Sequence, residues 1–352
     1  MEESDKQFFY SQYKQRAVLF QEQIREYVAD ELETFPENDC LKLEIIRFVS
    51  EGGKRLRTVL ARVVAEYLGS NEDYTTAALD TFHKFLLSHD DVIDRDRLRW
   101  SKPTLHSSIE KLSHGFGDIE HFGNSLAIVS GDLISTMSYR FILNSSLDDG
   151  VKVKLMKLIC QAMYEVGWGW YDQFLMDYEL LSSNKLSESR IRKSVIWVTG
   201  KYTISFPIRF GYCLSGKEMP AGLEDVADLL GILFQTGDDL IGIFGNPEKS
   251  GKSNFGDIVQ GKKTLPIWFA YEMGSEFEKK RLVELVGKKD ISEAEVSEVR
   301  VIMKKNGSLS RTKEYMFDLS NEIVVKLNNI SLPEGLRRFL KGFAAYLVDR
   351  DA

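Results

Sequence analysis

Phe85-Leu86-Leu87-Ser88-His89-Asp90-Asp91-Val92-Ile93-Asp94-Arg95-Asp96 sets a cluster of aspartates directly behind an apolar run. Apolar residues recur at helical spacing from Ala77 to Ile93 with no internal proline, which predicts a helix burying one face. On such a helix Asp90 and Asp94 share a face and Asp91 stands to one side. Carboxylates carried into an apolar setting need a counter-charge. A hard divalent cation such as Mg²⁺ supplies one, because it is held by a few carboxylates together with substrate phosphates. An N-cap or a surface carboxylate cluster would also account for one such motif standing alone.

The motif does not stand alone. Leu233-Phe234-Gln235-Thr236-Gly237-Asp238-Asp239-Leu240-Ile241-Gly242 repeats an apolar run followed by paired aspartates. Basic residues follow each copy. Arg99 comes after the first, and Lys252, Lys262 and Lys263, with Asp257 among them, come after the second beyond a glycine-bearing loop, Gly245 to Lys252. Such a loop can bring ammonium groups onto phosphate oxygens, although it lacks Walker A spacing. Each lysine taken singly also suits a solvated surface. Upstream, Glu51-Gly52-Gly53-Lys54-Arg55-Leu56-Arg57 combines a tight turn with Lys54 and Arg57, three apart at the expected start of a helix and aimed toward an anion. His83 lies two helical turns before Asp90 on nearly the same face, a position that equally suits a packed core histidine. Taken together these residues describe a site for metal and diphosphate.

Further helices are expected over Leu41 to Val49, Val59 to Leu68, Leu126 to Ile142 and Val153 to Leu181, and no alternating strand pattern is present. The fold class is all-α. The chain has 352 residues, 43% hydrophobic and 28% charged, enough for a large core in one domain or two, and no break has the composition of a domain linker. A net charge of −7 disfavours nonspecific nucleic-acid binding. No run of eighteen apolar residues occurs, so no membrane span is expected, and the polar start Met1-Glu2-Glu3-Ser4 is unlike a secretory signal, which makes the cytoplasm the default. Cys40, Cys160 and Cys213 follow no metal or redox spacing and are expected to be buried reduced thiols. The charged stretch Glu276 to Lys305 reads as a solvated helical face.

The ordered series from about Glu51 to the closing Tyr346-Leu347-Val348-Asp349-Arg350-Asp351 resembles the trans-isoprenyl diphosphate synthases, the farnesyl and geranylgeranyl diphosphate synthase family. The series comprises G-G-K-x-x-R, the histidine, the first aspartate motif with its arginine, K-P-T-x-H at Lys102 to His106, Gly131-Asp132, Lys201, F-Q-x-x-D-D at Phe234 to Asp239, Gly251-Lys252 and Gly261-Lys262-Lys263-Thr264. The resemblance implies one domain over residues 1 to 352, a helical bundle of the isoprenoid synthase type around an apolar cavity, and a homodimer. It implies that Asp90, Asp94 and Asp238 ligate three Mg²⁺ ions on the allylic diphosphate, with Asp91 and Asp239 in support. Arg99, Lys201, Lys252 and Lys262 would grip that diphosphate, and Gln235 belongs to the substrate-binding set. Lys54, Arg57 and His83 would hold isopentenyl diphosphate.

Three positions depart from the family pattern. Trp100 stands where a second arginine usually contacts isopentenyl diphosphate. Gly242 replaces the last aspartate of the second motif. The G-Q-x-x-D element is blurred, because Gln173 and Asp177 are four apart and Asp172 competes for the acidic role. Phe85, at the family's aromatic stopper position, and the smaller Leu86 resemble the archaeal-type geranylgeranyl synthases and favour a C20 product over C15. A class I terpene cyclase would carry an N-x-x-x-S-x-x-x-E site where Asp238-Asp239 stands, and a noncatalytic subunit of a heteromeric synthase finds support only in Trp100 and Gly242.

Overall fold

The computed structural model describes residues 3–33, 39–115, 117–245 and 256–350. The chain forms two compact units, one of Ser11–Leu158 with Pro207–Glu218, the other of Met1–Tyr10, Ile159–Phe206 and Met219–Ala352. Helices α1 (Glu3–Glu33) and α7 (Asp149–Asp177) contribute residues to both.

The first unit carries α2 (Asp39–Ser50), α3 (Leu56–Tyr67), α4 (Ala77–Ile93), α5 (Leu105–Ile109) and α6 (Ile119–Leu143). The helix bearing the first aspartate motif has the limits its apolar spacing predicts. It packs along α6 at very short range, since a Cβ on Gly131 would lie 2.3 Å from Ser88 Oγ. Phe82, Phe85, Leu86, Ile134 and Phe141 are buried around this contact, each stabilising the unit by about 1.5–3 kcal/mol relative to exposure. Among the described residues α6 alone is long and apolar enough to cross a membrane by length and composition. No continuous apolar run reveals this, because Asp132 and Arg140 interrupt it. One face of α6, with Ala127, Gly131 and Ile134, is part of the protein core.

The all-α reading holds, and the one strand pairing among the described residues is a short hairpin. Leu98–Arg99 (β1) pairs antiparallel with Lys102–Pro103 (β2). Trp100 and Ser101 form the two-residue turn, and both have left-handed φ, 52° and 60°, as a type I′ hairpin requires. Two residues per strand are too few to show alternation in sequence.

In the second unit α8 (Glu188–Val195) continues into a π-helix, Ile196–Ser205, followed by α9 (Phe206–Leu214), most of which belongs to the first unit. The π-helix lies against α10 (Leu223–Phe244), backbone on backbone, since a Cβ on Gly231 would stand 2.3 Å from Gly200 Cα. Then come α11 (Gly256–Gln260), α12 (Leu265–Met273), α13 (Glu276–Leu285), α14 (Glu293–Lys305), α15 (Ser308–Asn328) and α16 (Glu334–Asp349). Phe9 stacks on Phe343 with ring centroids 5.0 Å apart, tying the chain start to α16. Capping boxes at Ser275/Glu278 and Ser292/Glu295 start α13 and α14, and Arg281 pairs with Glu298, so the charged stretch is indeed a solvated helical face.

The thiols differ from expectation. All three cysteines are free, but Cys40 and Cys160 are exposed and only Cys213 is partly buried. Cys40 lies in the first turn of α2 and Cys160 on an exposed face of α7, positions that composition does not reveal.

Candidate active site

The first aspartate motif closes α4. Asp94 is its C-cap and donates its N–H to Asp90 O at 2.8 Å, which keeps Asp90 and Asp94 in helical register. Asp91 turns inward and is fully buried, while the Asp90 side chain keeps 34% of its surface. Arg99, delivered by β1, donates from Nε to Asp91 Oδ1 at 2.6 Å and from Nη2 to Asp90 Oδ2 at 2.9 Å. Burial pushes the Asp91 carboxyl up to about 6, against the pull of Arg99. Burial lowers the pKa of the Arg99 guanidinium, but Asp91 and Asp90 outweigh it and leave it raised. Arg99 is thus the internal counter-charge of the first motif, satisfied by its two aspartates.

The G-G-K-x-x-R element lies beside them. Gly52 and Gly53 have φ of 67° and 85°, and Arg55, the N-cap of α3, is also left-handed at 53°. Lys54 therefore precedes the helix and is exposed, while Arg57 lies within it and is half-buried. The expected shared helical face does not form, because the turn runs two residues further than the sequence suggests. Trp100 covers the turn: a Cβ on Gly52 would fall 2.2 Å from its Cε3. His83 is half-buried on α4, and desolvation, then Arg57 and Lys84, hold its imidazole well below the ordinary range. Phe85 and Leu86 are buried, Phe85 meeting the His89 ring edge to face at 4.9 Å.

The second motif lies on α10 and repeats the division between an accessible and a buried carboxylate. Asp238 keeps 42% of its side-chain surface and meets Arg350 Nη2 at 2.6 Å, whereas Asp239 is buried. Gln235 donates to Asp239 Oδ1 at 2.8 Å and accepts from Thr199 Oγ1 at 2.7 Å. Burial, followed by Asp257, raises the Asp239 carboxyl well above its usual range. A Cβ on Gly242 would stand 2.6 Å from Asp257 Oδ2, so the acid absent at position 242 is replaced in space by Asp257, to which Lys262 Nζ comes within 3.7 Å. Lys201, on the π-helix, is held by Glu224 at 2.6 Å and Asp228 at 2.7 Å. Burial lowers the pKa of its ammonium, but these two acids outweigh it and leave it raised. Lys252 lies outside the described residues.

The structure separates the two candidates for the third acid. Asp172 pairs with Arg190 at 2.9 Å, while Asp177 Oδ1 accepts the Lys263 N–H at 3.2 Å and its carbonyl accepts from Lys263 Nζ at 3.1 Å. Asp177 is therefore the acid beside the Gly261-Lys262-Lys263 turn, and Lys263 is a buried structural donor. Arg350 and Lys84 are neighbours of the two motifs that sequence spacing did not single out, while Asp257, noted there after the second motif, proves to lie against Gly242. Arg350 stands 112 positions from Asp238, and Lys84 resembles an ordinary polar residue between His83 and Phe85.

Among the described residues no three His, Cys, Asp or Glu side chains are grouped as a metal site. The donor set nonetheless fits a hard cation. Asp91 Oδ2 and Asp239 Oδ2 are buried oxygens with no hydrogen-bond partner, and Asp90 and Asp238 offer accessible oxygens beside them.

The helices match the all-α isoprenoid synthase fold. A geranylgeranyl pyrophosphate synthase from Corynebacterium glutamicum, complexed with isoprenyl diphosphate and magnesium, superposes with a TM-score of 0.82 at 24% identity, covering 94% of this chain and 98% of that one. The polyprenyl synthetase family profile matches residues 39–303, and the chain belongs to that family. It is 29% identical to a geranylgeranyl pyrophosphate synthase of Geoglobus acetivorans over 96% of this chain and 98% of that protein. It is 28% identical to a short chain isoprenyl diphosphate synthase of Methanocaldococcus jannaschii, over 82% and 84% respectively.

Proposed function

We propose that this trans-prenyltransferase condenses isopentenyl diphosphate with an allylic diphosphate to give a short-chain all-trans prenyl diphosphate, C20 rather than C15. The observation that carries the reading is the paired design of the two motifs, each with one accessible aspartate on an arginine and one buried aspartate with an unpartnered oxygen. The allylic carbon–oxygen bond ionises, the isopentenyl double bond attacks the cation, and the departing diphosphate takes the proton lost. Asp90, Asp94 and Asp238 would hold Mg²⁺, three ions in all, with Asp91 and Asp239 behind them. Bound Mg²⁺ neutralises charge building on the leaving diphosphate. Arg99, Lys201, Lys252 and Lys262 add cationic charge to the same group, while Lys54, Arg57 and His83 receive isopentenyl diphosphate. Gln235 orients Asp239. Apolar walls that include Phe85 keep water from the cation, and Phe85 with Leu86 limits tail length.

We take the chain to act as one synthase domain over residues 1–352, in the cytoplasm, as a homodimer. Exposed Ile128, Val129 and Leu133 on α6, and Tyr164, Trp168 and Tyr171 on α7, support self-association. A noncatalytic role is disfavoured because Asp257 fills the place that Gly242 leaves open. The test is incubation of purified protein with Mg²⁺, isopentenyl diphosphate and dimethylallyl, geranyl or farnesyl diphosphate in turn, with products resolved by chain length. Geranylgeranyl diphosphate as main product is expected, and no product from any primer overturns the reading.

A further inference from the structure

Lys84 follows His83 on α4, yet its side chain is 1% exposed. Burying an ammonium is unfavourable unless it is well paired, so plain core packing does not explain a lysine here. Its Nζ donates to Phe48 O at 2.7 Å and to Glu51 O at 2.6 Å, and lies 4.5 Å from the centroid of the Trp100 ring. These carbonyls belong to the end of α2 and to the approach into Gly52. Arg55, ion-paired with Asp80, donates to Val49 O at 3.0 Å and to Ser50 O, and Tyr13 donates to Lys54 O. A backbone that passes through left-handed Gly52, Gly53 and Arg55 makes no helix or sheet ladder, so its shape depends on such side-chain donors. Trp100, lying on Gly52 on one side and meeting Lys84 on the other, completes the support.

We propose that Lys84 is a positioning residue for isopentenyl diphosphate, fixing the Gly52-Gly53-Lys54 turn from beneath where position 100 offers an indole instead of a cation. The proposal rests on the functional reading above. Lys84 is buried too deeply to reach an anion and acts through the turn. The low proton affinity that burial, followed by Arg55, gives its amine is compatible with this, since two N–H donors suffice for the two carbonyls.

The test compares the unaltered full chain with Lys84→Met and Lys84→Gln. In Lys84→Met the KM for isopentenyl diphosphate is expected to rise about tenfold, with kcat and the allylic KM changed by less than about twofold. Amide exchange of residues 49–54 should quicken in the same variant, whereas Lys84→Gln, which keeps two N–H donors, should recover part of both effects. Equal losses in kcat and in both KM values, or unchanged exchange at residues 49–54 in a folded variant, would overturn the proposal. If Lys84→Met does not fold, Lys84→Gln carries the same comparison with smaller expected shifts, and no shift in it counts against the proposal. Should the unaltered chain form no product, the functional reading fails by itself, and the exchange comparison still decides whether Lys84 fixes the turn.

Discussion

Arg350 Nη2 stands 2.6 Å from Asp238 Oδ1 and 2.7 Å from Phe234 O, with its guanidinium 4.5 Å above the Phe234 ring. The residue that follows α16 thus neutralises the accessible aspartate of the second motif. On the proposed function, Mg²⁺ binding at Asp238 would have to compete with this pair. Arg350→Gln is therefore expected to lower the Mg²⁺ concentration for half-maximal activity by about two- to fivefold, the range of a partly exposed ion pair. Activity titrated against free Mg²⁺ checks this, and a higher requirement would show Arg350 assisting the metal.

Asp90 and Asp91 of the first motif should respond differently to mutation. Asp90 is partly exposed, so Asp90→Ala should cut turnover by roughly 10²-fold or more with little change in stability. Asp238→Ala should cut turnover to a similar degree but with a larger loss of stability, because it leaves the buried Arg350 guanidinium without its carboxylate. Asp91→Ala takes from the Arg99 guanidinium its buried partner, leaving only the partly exposed Asp90 at short range, and should cost up to about 3–5 kcal/mol in denaturant unfolding. Equal stability losses at Asp90 and Asp91 would contradict the division drawn between them.

On the proposed function, position 100 would be a second lever on isopentenyl diphosphate. Trp100→Arg is expected to lower its KM about tenfold through a charge-assisted contact and also to lower the thermal midpoint, because the ring leaves Gly52 and a guanidinium comes to face Lys84. The allylic KM serves as the internal control. An unchanged isopentenyl diphosphate KM would mean that another group fills that role.

Phe85 lies one turn and more beneath Asp90, buried against His89. Removing its ring opens room for extra methylenes, each favourable by about 0.8 kcal/mol when buried. Phe85→Ala should lengthen the main product by at least one isoprene unit and cost roughly 3–5 kcal/mol of stability. An unaltered product distribution from a folded, active variant would reduce Phe85 to core packing.

His83, half-buried with its imidazole desolvated beside Arg57 and Lys84, predicts a pH dependence. Its folded pKa lies well below the ordinary 6.5, so the unfolded chain takes up a proton that the native protein resists. Its contribution is complete above pH 6.5 and declines as the pH falls below that value, at up to about 1.4 kcal/mol per pH unit. His83→Gln should flatten the fall in unfolding free energy between pH 7.5 and 5.5, and an identical slope in both proteins would show that His83 protonates freely when folded.

Much of this was legible from local pattern. Helical periodicity marked α4 to its ends, and the spacing of Asp90, Asp91 and Asp94 placed carboxylates at its C-terminus, since both depend on residues within a turn or two. The Trp100-Ser101 hairpin escaped because two-residue strands have no period. The run of left-handed residues from Gly52 to Arg55 escaped because non-glycine αL conformations are set by packing.

Sequence alone determined which residues carry oxygen donors and which carry cations, and in what order. Only the tertiary structure decided the partners: Arg99 with Asp90 and Asp91, Arg350 with Asp238, Asp257 in the space beside Gly242, Lys84 beneath the glycine turn. These pairings join residues as far apart as 112 positions. Counter-charges for buried groups are chosen by proximity in the folded core, where desolvation makes an unpaired charge costly, and proximity of that kind has no signature along the chain.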